Sequence, residues 1–267
     1  MTEKNTRILS LGAGVQSTTV ALLAVHGEIE KPEHAIFADT GWEPQEVYDH
    51  LKWLTPILEK AKIQTHIVKK GNIREDALND LTTFQSMPLY SLTDTGSGIG
   101  RRQCTREYKI TPITKKQREL IGLGYRQKWK PEYGKIINLV GISVDEIQRA
   151  KDNRVKYIQN EFPLLDLRMK RSDCLTWLAN HGYSAPRSAC LGCPYHNDRE
   201  WRQIKSNPKE WADVIEFDRA IRDKHKGEGQ QFLHPKLIPL EEVDLRTEED
   251  KGQLALFTQE CEGMCGI

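Results

Sequence analysis

No apolar run in this 267-residue sequence approaches the ~18 residues needed to cross a bilayer. The first residues, Met1 to Arg7, are polar and lack the apolar stretch of a secretory signal. The protein is therefore expected in the cytoplasm, away from membranes. A large charge imbalance is also missing. The formal net charge of +1 removes the usual compositional sign of a nucleic-acid binder and leaves only local clusters. Arg101-Arg102, Lys115-Lys116 and the run from Arg168 to Arg171 can touch phosphates or simply solvate a face. No internal repeat or low-complexity tract is present, which excludes a repeat array. Cysteine is scarce, with six in the chain: Cys104, Cys174, Cys190, Cys193, Cys261 and Cys265. In a reducing cytosol disulfides are not expected, so the close pairs point to metal or redox chemistry.

What is present reads as an α/β protein. Short apolar stretches at Arg7–Leu11, His34–Ala38, Gln64–Val68 and Ile136–Val140 suit buried strands. Helical patterns lie between them, at Thr18–His26 and Glu43–Lys62, with Pro44 suited to an N-terminal position. Strands alternating with helices predict a doubly wound, mostly parallel sheet, with ligands at the carboxyl ends of the strands. Gly12, Asp39 and Gly141 each follow a predicted strand. From about Glu161 helices take over, at Ser172–His181, Asp198–Ser206 and Pro208–Lys224. Gly227–Gln231 reads as a flexible link to a cysteine-bearing tail. We therefore expect a nucleotide-binding domain over 1–160 and a helical C-terminal region over 161–267.

The strongest local signal is Leu11-Gly12-Ala13-Gly14-Val15-Gln16-Ser17-Thr18, a glycine loop between a strand and a helix. Glycines give room for close approach, and the following helix supplies N–H donors and a favourable dipole for phosphate. Ser17, Thr18 and Thr19 add hydroxyls. The same glycines would also make a tight turn with no ligand. No Lys follows the last glycine, so this is not a Walker A loop, and Gly-x-Gly-x-x-Gly is absent as well. Asp39 can bind ribose or Mg²⁺, or cap the next helix. Arg149 is a candidate phosphate ligand beside Asp145 and Glu146. Cys190-Leu-Gly-Cys193 is a chelating hairpin open to zinc or an iron–sulfur cluster. It needs further ligands, from Cys104, from Cys261 or Cys265 of the tail, or from Cys174. Cys174 and His196 read more simply as a buried residue and a polar loop residue.

Ser-Leu-Gly-Ala-Gly-Val-Gln-Ser-Thr resembles the PP-loop of the ATP pyrophosphatases. Phe37-Ala-Asp-Thr-Gly41, Cys104-Thr-Arg-Glu-Tyr-Lys109, Leu139-Val-Gly-Ile-Ser143, Pro163-Leu-Leu-Asp166 and Cys190-x-x-Cys193 follow in the order of that superfamily's PAPS reductase-like branch. The loop departs from the usual form, with Gly12 for Ser, Ala13 for Gly and Gln16 for Asp. The resemblance implies an adenine-nucleotide α-hydrolase-like fold that binds ATP and Mg²⁺ through Leu11, Gly12, Ala13, Gly14, Gln16, Ser17, Thr18, Asp39, Gly141 and Arg149. It implies adenylation of an acceptor for sulfur transfer, as in DNA phosphorothioation or tRNA thiolation, with a nucleic-acid acceptor and a cysteine desulfurase or thioredoxin-type donor. It also implies a [4Fe–4S] cluster, or zinc, on Cys104, Cys190, Cys193 and Cys265, and catalytic roles for Lys109 and a tail cysteine. Glu260 and Glu262 flank Cys261 and would raise its pKa, which favours Cys265 as nucleophile. A PAPS or APS reductase that forms sulfite through the tail, and a non-catalytic nucleotide-binding subunit, are the alternative readings.

Overall fold

The computed structural model describes residues 5–79, 87–224 and 229–247. In chain order the elements are β1 (Thr6–Leu11), α1 (Val15–His26), β2 (His34–Asp39), α2 (Gln45–Lys60), β3 (Gln64–Lys69), α3 (Ile73–Leu78), β4 (Tyr90–Thr93), β5 (Gly96–Ile99), α4 (Thr111–Leu120), β6 (Ile136–Val140), β7 (Ile158–Glu161), α5 (Pro163–Asp166), α6 (Arg171–Asn180), α7 (Asp198–Lys205), α8 (Pro208–Ile221) and β8 (Gln230–Phe232). They form two compact units. One comprises Met1–Lys70 and Tyr108–Ser188, the other Gly71–Glu107 and Ala189–Ile267. The division expected at residue 160 runs inside the first unit. There β7 continues the sheet beside β6, and Cys174 and Leu178 of α6 share a core with α1.

The first unit is built on a five-stranded sheet of order β3-β2-β1-β6-β7, with every neighbouring pair parallel. Side chains alternate between its faces, as strand geometry requires. Leu9, Leu11, Ala35, Phe37, Ile137 and Leu139 point to one face and pack with α1, α2, α5 and α6. Ile8, Ile36 and Ile136 point to the other, where Ile113 and Leu120 of α4 cover them with Leu123 and Tyr157. Burial on both faces explains why β1, β2 and β6 read as nearly continuous apolar runs. Asn138, only 6% exposed, is the polar exception in β6. It accepts from Ser10 Oγ and from Gln117 Nε2, each at 2.8 Å, and donates to Asn160 Oδ1 at 2.9 Å. A buried amide so paired costs little and fixes the strand register.

Helix α1 begins at Val15, three residues before the expected start, because the chain turns helical as soon as it leaves the glycines. Pro44 stands at the N-cap of α2 rather than within its first turn. From β1 the chain passes through α1 to β2 on one side. On the other side of β1 lies β6, reached through α4 on the opposite face. This reversal makes the β1/β6 boundary a topological switch point, where loops diverge and leave a crevice at the strands' carboxyl ends.

The second unit carries a three-stranded antiparallel sheet of order β5-β4-β8 and the helices α3, α7 and α8. Asp218, 1% exposed, stitches it together. Its carboxylate accepts from the amides of Leu233 and Leu240, each at 3.1 Å, and from Arg222 Nη2 at 2.6 Å. The link expected over Gly227–Gln231 is in part strand: Gln230–Phe232 pairs with β4 through Tyr90↔Phe232. Three residues are too few to show a period-two pattern, so the strand had no signal of its own. Gly229, at φ +77°, lies where an added Cβ would meet the Leu92 carbonyl oxygen at 2.1 Å, so only glycine fits there.

Candidate nucleotide-phosphate site

The loop after β1 ends at a bare helix terminus. Gly14 is the N-cap of α1, no side chain caps it, and the first turn has no acidic residue. The first helical bond is donated by Thr18 N to Gly14 O at 2.9 Å, so the helix itself gives the amides of Val15, Gln16 and Ser17 no acceptor. Together with the helix dipole they form a donor set suited to an anion. Leu11 ends β1 with its side chain in the core, 2% exposed. Ala13 is fully buried and left-handed, at φ 56°. It turns the chain so that Gly12 is exposed and Gly14 half-exposed. A Cβ on Gly14 would lie 3.2 Å from Ser188 Cβ. One on Gly141, at the end of β6, would lie 2.8 Å from Ser17 N and 3.0 Å from Gln16 C. Gly141 is thus what lets β6 run against the first turn of α1.

The hydroxyls are less available than the sequence suggests. Ser17 Oγ donates to Gly14 O at 3.3 Å and stays at the loop. Thr19 Oγ1 donates back to Val15 O at 2.8 Å. Thr18 is fully buried, and its Oγ1 pairs with His50 Nε2 at 2.9 Å. Burial holds the His50 imidazole down to a pKa of about 4, so the partner is a neutral ring. Thr18 therefore braces α1 against α2 instead of offering a free hydroxyl.

Gln16 lies at the centre of a charged network. Its Nε2 donates to Glu146 Oε2 at 3.2 Å and approaches Ser143 Oγ at 3.5 Å, while its Oε1 accepts from Arg171 Nη1 at 3.1 Å. Glu146 in turn binds Arg149 Nη1 at 2.5 Å. Asp145 accepts from the Arg171 amide at 2.8 Å, which anchors α6 to the segment after β6. Two guanidinium groups and one carboxylate thus reach the loop through one neutral amide. Sequence reading placed Glu146 beside its favoured candidate Arg149 and had Arg171 only at the end of a basic run; it linked neither to Gln16, from which they lie 130 and 155 residues away.

A second group stands at the carboxyl end of β2. Asp39 Oδ1 accepts from Gly41 N at 2.7 Å and from Tyr48 OH at 2.9 Å, and Oδ2 lies 3.6 Å from Lys69 Nζ. Burial first, and the bond to Asp39 second, push the Tyr48 hydroxyl well above its ordinary range, so it remains a donor. Asp39 therefore closes the turn into α2. The side chain of Glu43 is fully buried. It accepts from Thr40 Oγ1 at 3.0 Å and from Lys109 Nζ at 3.4 Å. The Thr40-x-x-Glu43 spacing, the sequence form of a capping box, was the available signal for Glu43. Lys109 lies in a π-helical segment, Thr105–Ile110, a form common at functional sites.

Cys104, Cys190 and Cys193 all belong to the second unit, are half-buried and form no disulfide. The hairpin closes with Cys193 N donating to Cys190 O at 3.0 Å. His196 is 7% exposed and is engaged at both ring nitrogens, Nε2 with Cys190 O at 2.9 Å and Nδ1 with Glu200 Oε2 at 3.2 Å. It locks the turn onto α7 and is not poised as a ligand. Cys174 is fully buried in the first unit, and burial raises its thiol to about 11, which makes it a small core residue. Cys261 and Cys265 lie outside the described residues. Among the described residues, no group of three or more His, Cys, Asp or Glu is arranged to hold a metal. Cys104, Cys190 and Cys193 thus do not make a metal centre by themselves. No helix among the described residues is long and apolar enough to cross a membrane.

No family model and no curated protein sequence matches this chain. Among solved structures it is similar to a phosphoadenylyl-sulfate reductase from Candida auris in its phosphate complex. That match has 13% identity, covers 68% of this chain and 75% of that one, and has a TM-score of 0.43. It is also similar to the U34-tRNA thiolase NcsA from Methanococcus maripaludis with its [4Fe-4S] cluster, at 14% identity over 81% of this chain and 72% of that one, with a TM-score of 0.41.

Proposed function

We propose that the first unit binds ATP and transfers its adenylyl group to an oxygen of an acceptor, in the manner of a PP-loop ATP pyrophosphatase of the PAPS reductase-like branch. The observation that carries this reading is the uncapped α1 terminus at the β1/β6 switch point, with Gly141 against Ser17 at its back and the Gln16 network at its side. The loop amides would hold the β- and γ-phosphates. Arg149 and Arg171 would neutralise charge that develops on the leaving pyrophosphate. The acceptor oxygen attacks the α-phosphorus and the α–β bridging P–O bond breaks. Pyrophosphate leaves, and the acceptor is left as an adenylate. A sulfur nucleophile then displaces AMP. Mg²⁺ would enter with the nucleotide, whose phosphates supply part of its octahedral shell.

The sulfur half of the reaction rests on the cysteines. Cys104, Cys190 and Cys193, with Cys265 or Cys261, would carry the cluster or zinc, and a nucleic acid would be the acceptor. Two parallel assays test the reading: pyrophosphate release from ATP and Mg²⁺, and sulfite release from PAPS with thioredoxin. Pyrophosphate without sulfite is the expected result. Sulfite alone would replace the proposal with the reductase reading. Neither product, with ATP still bound, would leave a nucleotide-binding subunit.

A further inference from the structure

A second charged feature lies at the other edge of the sheet. The segments 111–135 and 151–156 contain ten Lys and Arg against three Asp and Glu, in a chain that is almost balanced at 39 against 38. The two segments lead into adjacent strands. They arrive side by side where Ile136 pairs with Ile158 and where Ile136 N donates to Tyr157 O at 2.9 Å. Lys115, Lys128, Lys151, Arg154 and Lys156 are exposed and make no ion pair among the described residues. Lys116 and Lys130 are paired with Glu119 and Glu132, so the unpaired basic charge is that of these five side chains, on two segments that converge at the amino ends of β6 and β7.

The loop after α4 is rigid at its base and open at its tip. Trp129 stacks on Tyr157 with ring centroids 5.5 Å apart and planes 6° from parallel, and its Nε1 donates to Gly134 O at 2.8 Å. Arg118 donates to Tyr157 OH at 2.7 Å and to the carbonyls of Gly124 and Gln127 at 3.0 and 2.8 Å. These bonds hold up a tip at which Tyr125 is 84% exposed. Arg126 beside it is left-handed, at φ 58°, with its guanidinium 5.2 Å from the Tyr125 ring centroid. An exposed ring and a strained arginine add nothing to the core. They do make a flat π surface flanked by cations, the combination that stacks a base and pairs its phosphates.

We infer that this face binds single-stranded nucleic acid, with Tyr125 as the stacking platform and Arg126, Lys128, Lys151, Arg154 and Lys156 on the phosphates. An anionic membrane fits less well, because the tip Gly124-Tyr-Arg-Gln-Lys128 offers a single ring and no apolar residue to insert. The five residues of β6 separate this face from the phosphate loop by roughly 17 Å. It is an anchoring surface, and its binding does not require ATP.

The test is fluorescence anisotropy of a labelled single-stranded oligonucleotide of about twenty nucleotides, without ATP, across a salt series. Wild type should bind with a steep negative salt dependence. The triple variant K151E/R154E/K156E should lower the slope of log K against log salt by about two, at roughly 0.7 per lost phosphate contact on a single strand. Tyr125→Ala should weaken binding at least about fivefold with the slope unchanged. Gly141→Ala, at the phosphate loop, should bind the oligonucleotide as wild type does, which separates this inference from the proposed ATP chemistry. The four side chains replaced in the first two variants are exposed, and circular dichroism checks that all three variants fold. Wild-type affinity in the folded triple variant would overturn the inference. So would an absence of oligonucleotide binding at low salt, or tighter binding to phosphatidylserine vesicles than to the oligonucleotide.

Discussion

Gly141→Ala is the sharpest probe of the proposed phosphate site. The added Cβ would stand 2.8 Å from Ser17 N and 3.0 Å from both Gln16 C and Ser17 Cα. All three are backbone atoms, held by β6 on one side and α1 on the other, so no side chain can swing away. Either the strand end or the first turn of α1 has to move by several tenths of an ångström. Overpacking of this kind costs about 1–3 kcal/mol, while the reduced freedom of the unfolded chain returns about 0.4–1 kcal/mol. The net loss should be about 1–2 kcal/mol, or roughly 2–8 °C in melting temperature. The same movement displaces the Gln16 and Ser17 amides. A hydrogen bond to a charged group contributes about 1.5–3 kcal/mol, so ATP affinity should fall about tenfold or more. Gly12→Ala is the partner experiment. Its Cβ would meet only Ser17 Oγ, at 3.5 Å, an ordinary contact, and the residue is exposed. Stability should hold, while affinity falls if phosphate rests against the loop backbone. Thermal melts and titration with a fluorescent ATP analogue read both quantities. If Gly141→Ala keeps its melting temperature and its affinity, the close approach of β6 to α1 is not what shapes the site.

Glu146→Gln removes the partner that holds Arg149 at 2.5 Å, so calorimetry should show ATP binding about three- to tenfold tighter; weaker binding would mean that Glu146 itself serves the nucleotide. Arg171→Ala should weaken ATP about tenfold, and Arg171→Lys should restore only part of this, since a point charge cannot keep the planar contact to Gln16. His50, with a folded pKa of about 4 against an ordinary 6.5, takes up its proton more readily unfolded, so stability is full above about pH 6.5 and declines toward pH 4 by up to about 3 kcal/mol. Urea melts of His50→Gln should show a flatter pH dependence over that window, and parallel curves for the two proteins would reject the assignment. After anaerobic reconstitution, Cys190→Ser, Cys193→Ser and Cys265→Ser should lose iron and brown colour, whereas Cys174→Ser should retain both. Equal iron in all four would rule out a centre on the hairpin and tail.

The parallel sheet was legible in the sequence because β1, β2 and β6 are short apolar runs separated by helix-length polar–apolar patterns, and burial on both faces demands that texture. The two units were not legible in this way. The helices α7 and α8 were readable one by one, but the second unit joins two distant stretches and β8 has only three residues, so no local pattern shows how they assemble. The loop after β1 was readable as glycines, but the meaning of its odd residue was not. In sequence, Gln16 is a lost acid. In the fold, its Nε2 lies 3.2 Å from a carboxylate that arrives from Glu146, and its Oε1 faces the guanidinium of Arg171. Those contacts depend on the β1/β6 pairing and on α6 packing against α1, neither of which a local pattern encodes. An acid at position 16 would stand against Glu146, and the repulsion would press on the first turn of α1. A neutral amide with a donor and an acceptor satisfies both neighbours. The negative charge missing from the loop is therefore present beside it, carried by Glu146 in the short 3₁₀ segment Val144–Arg149 that follows β6, and the departure at Gln16 moves the charge without removing it.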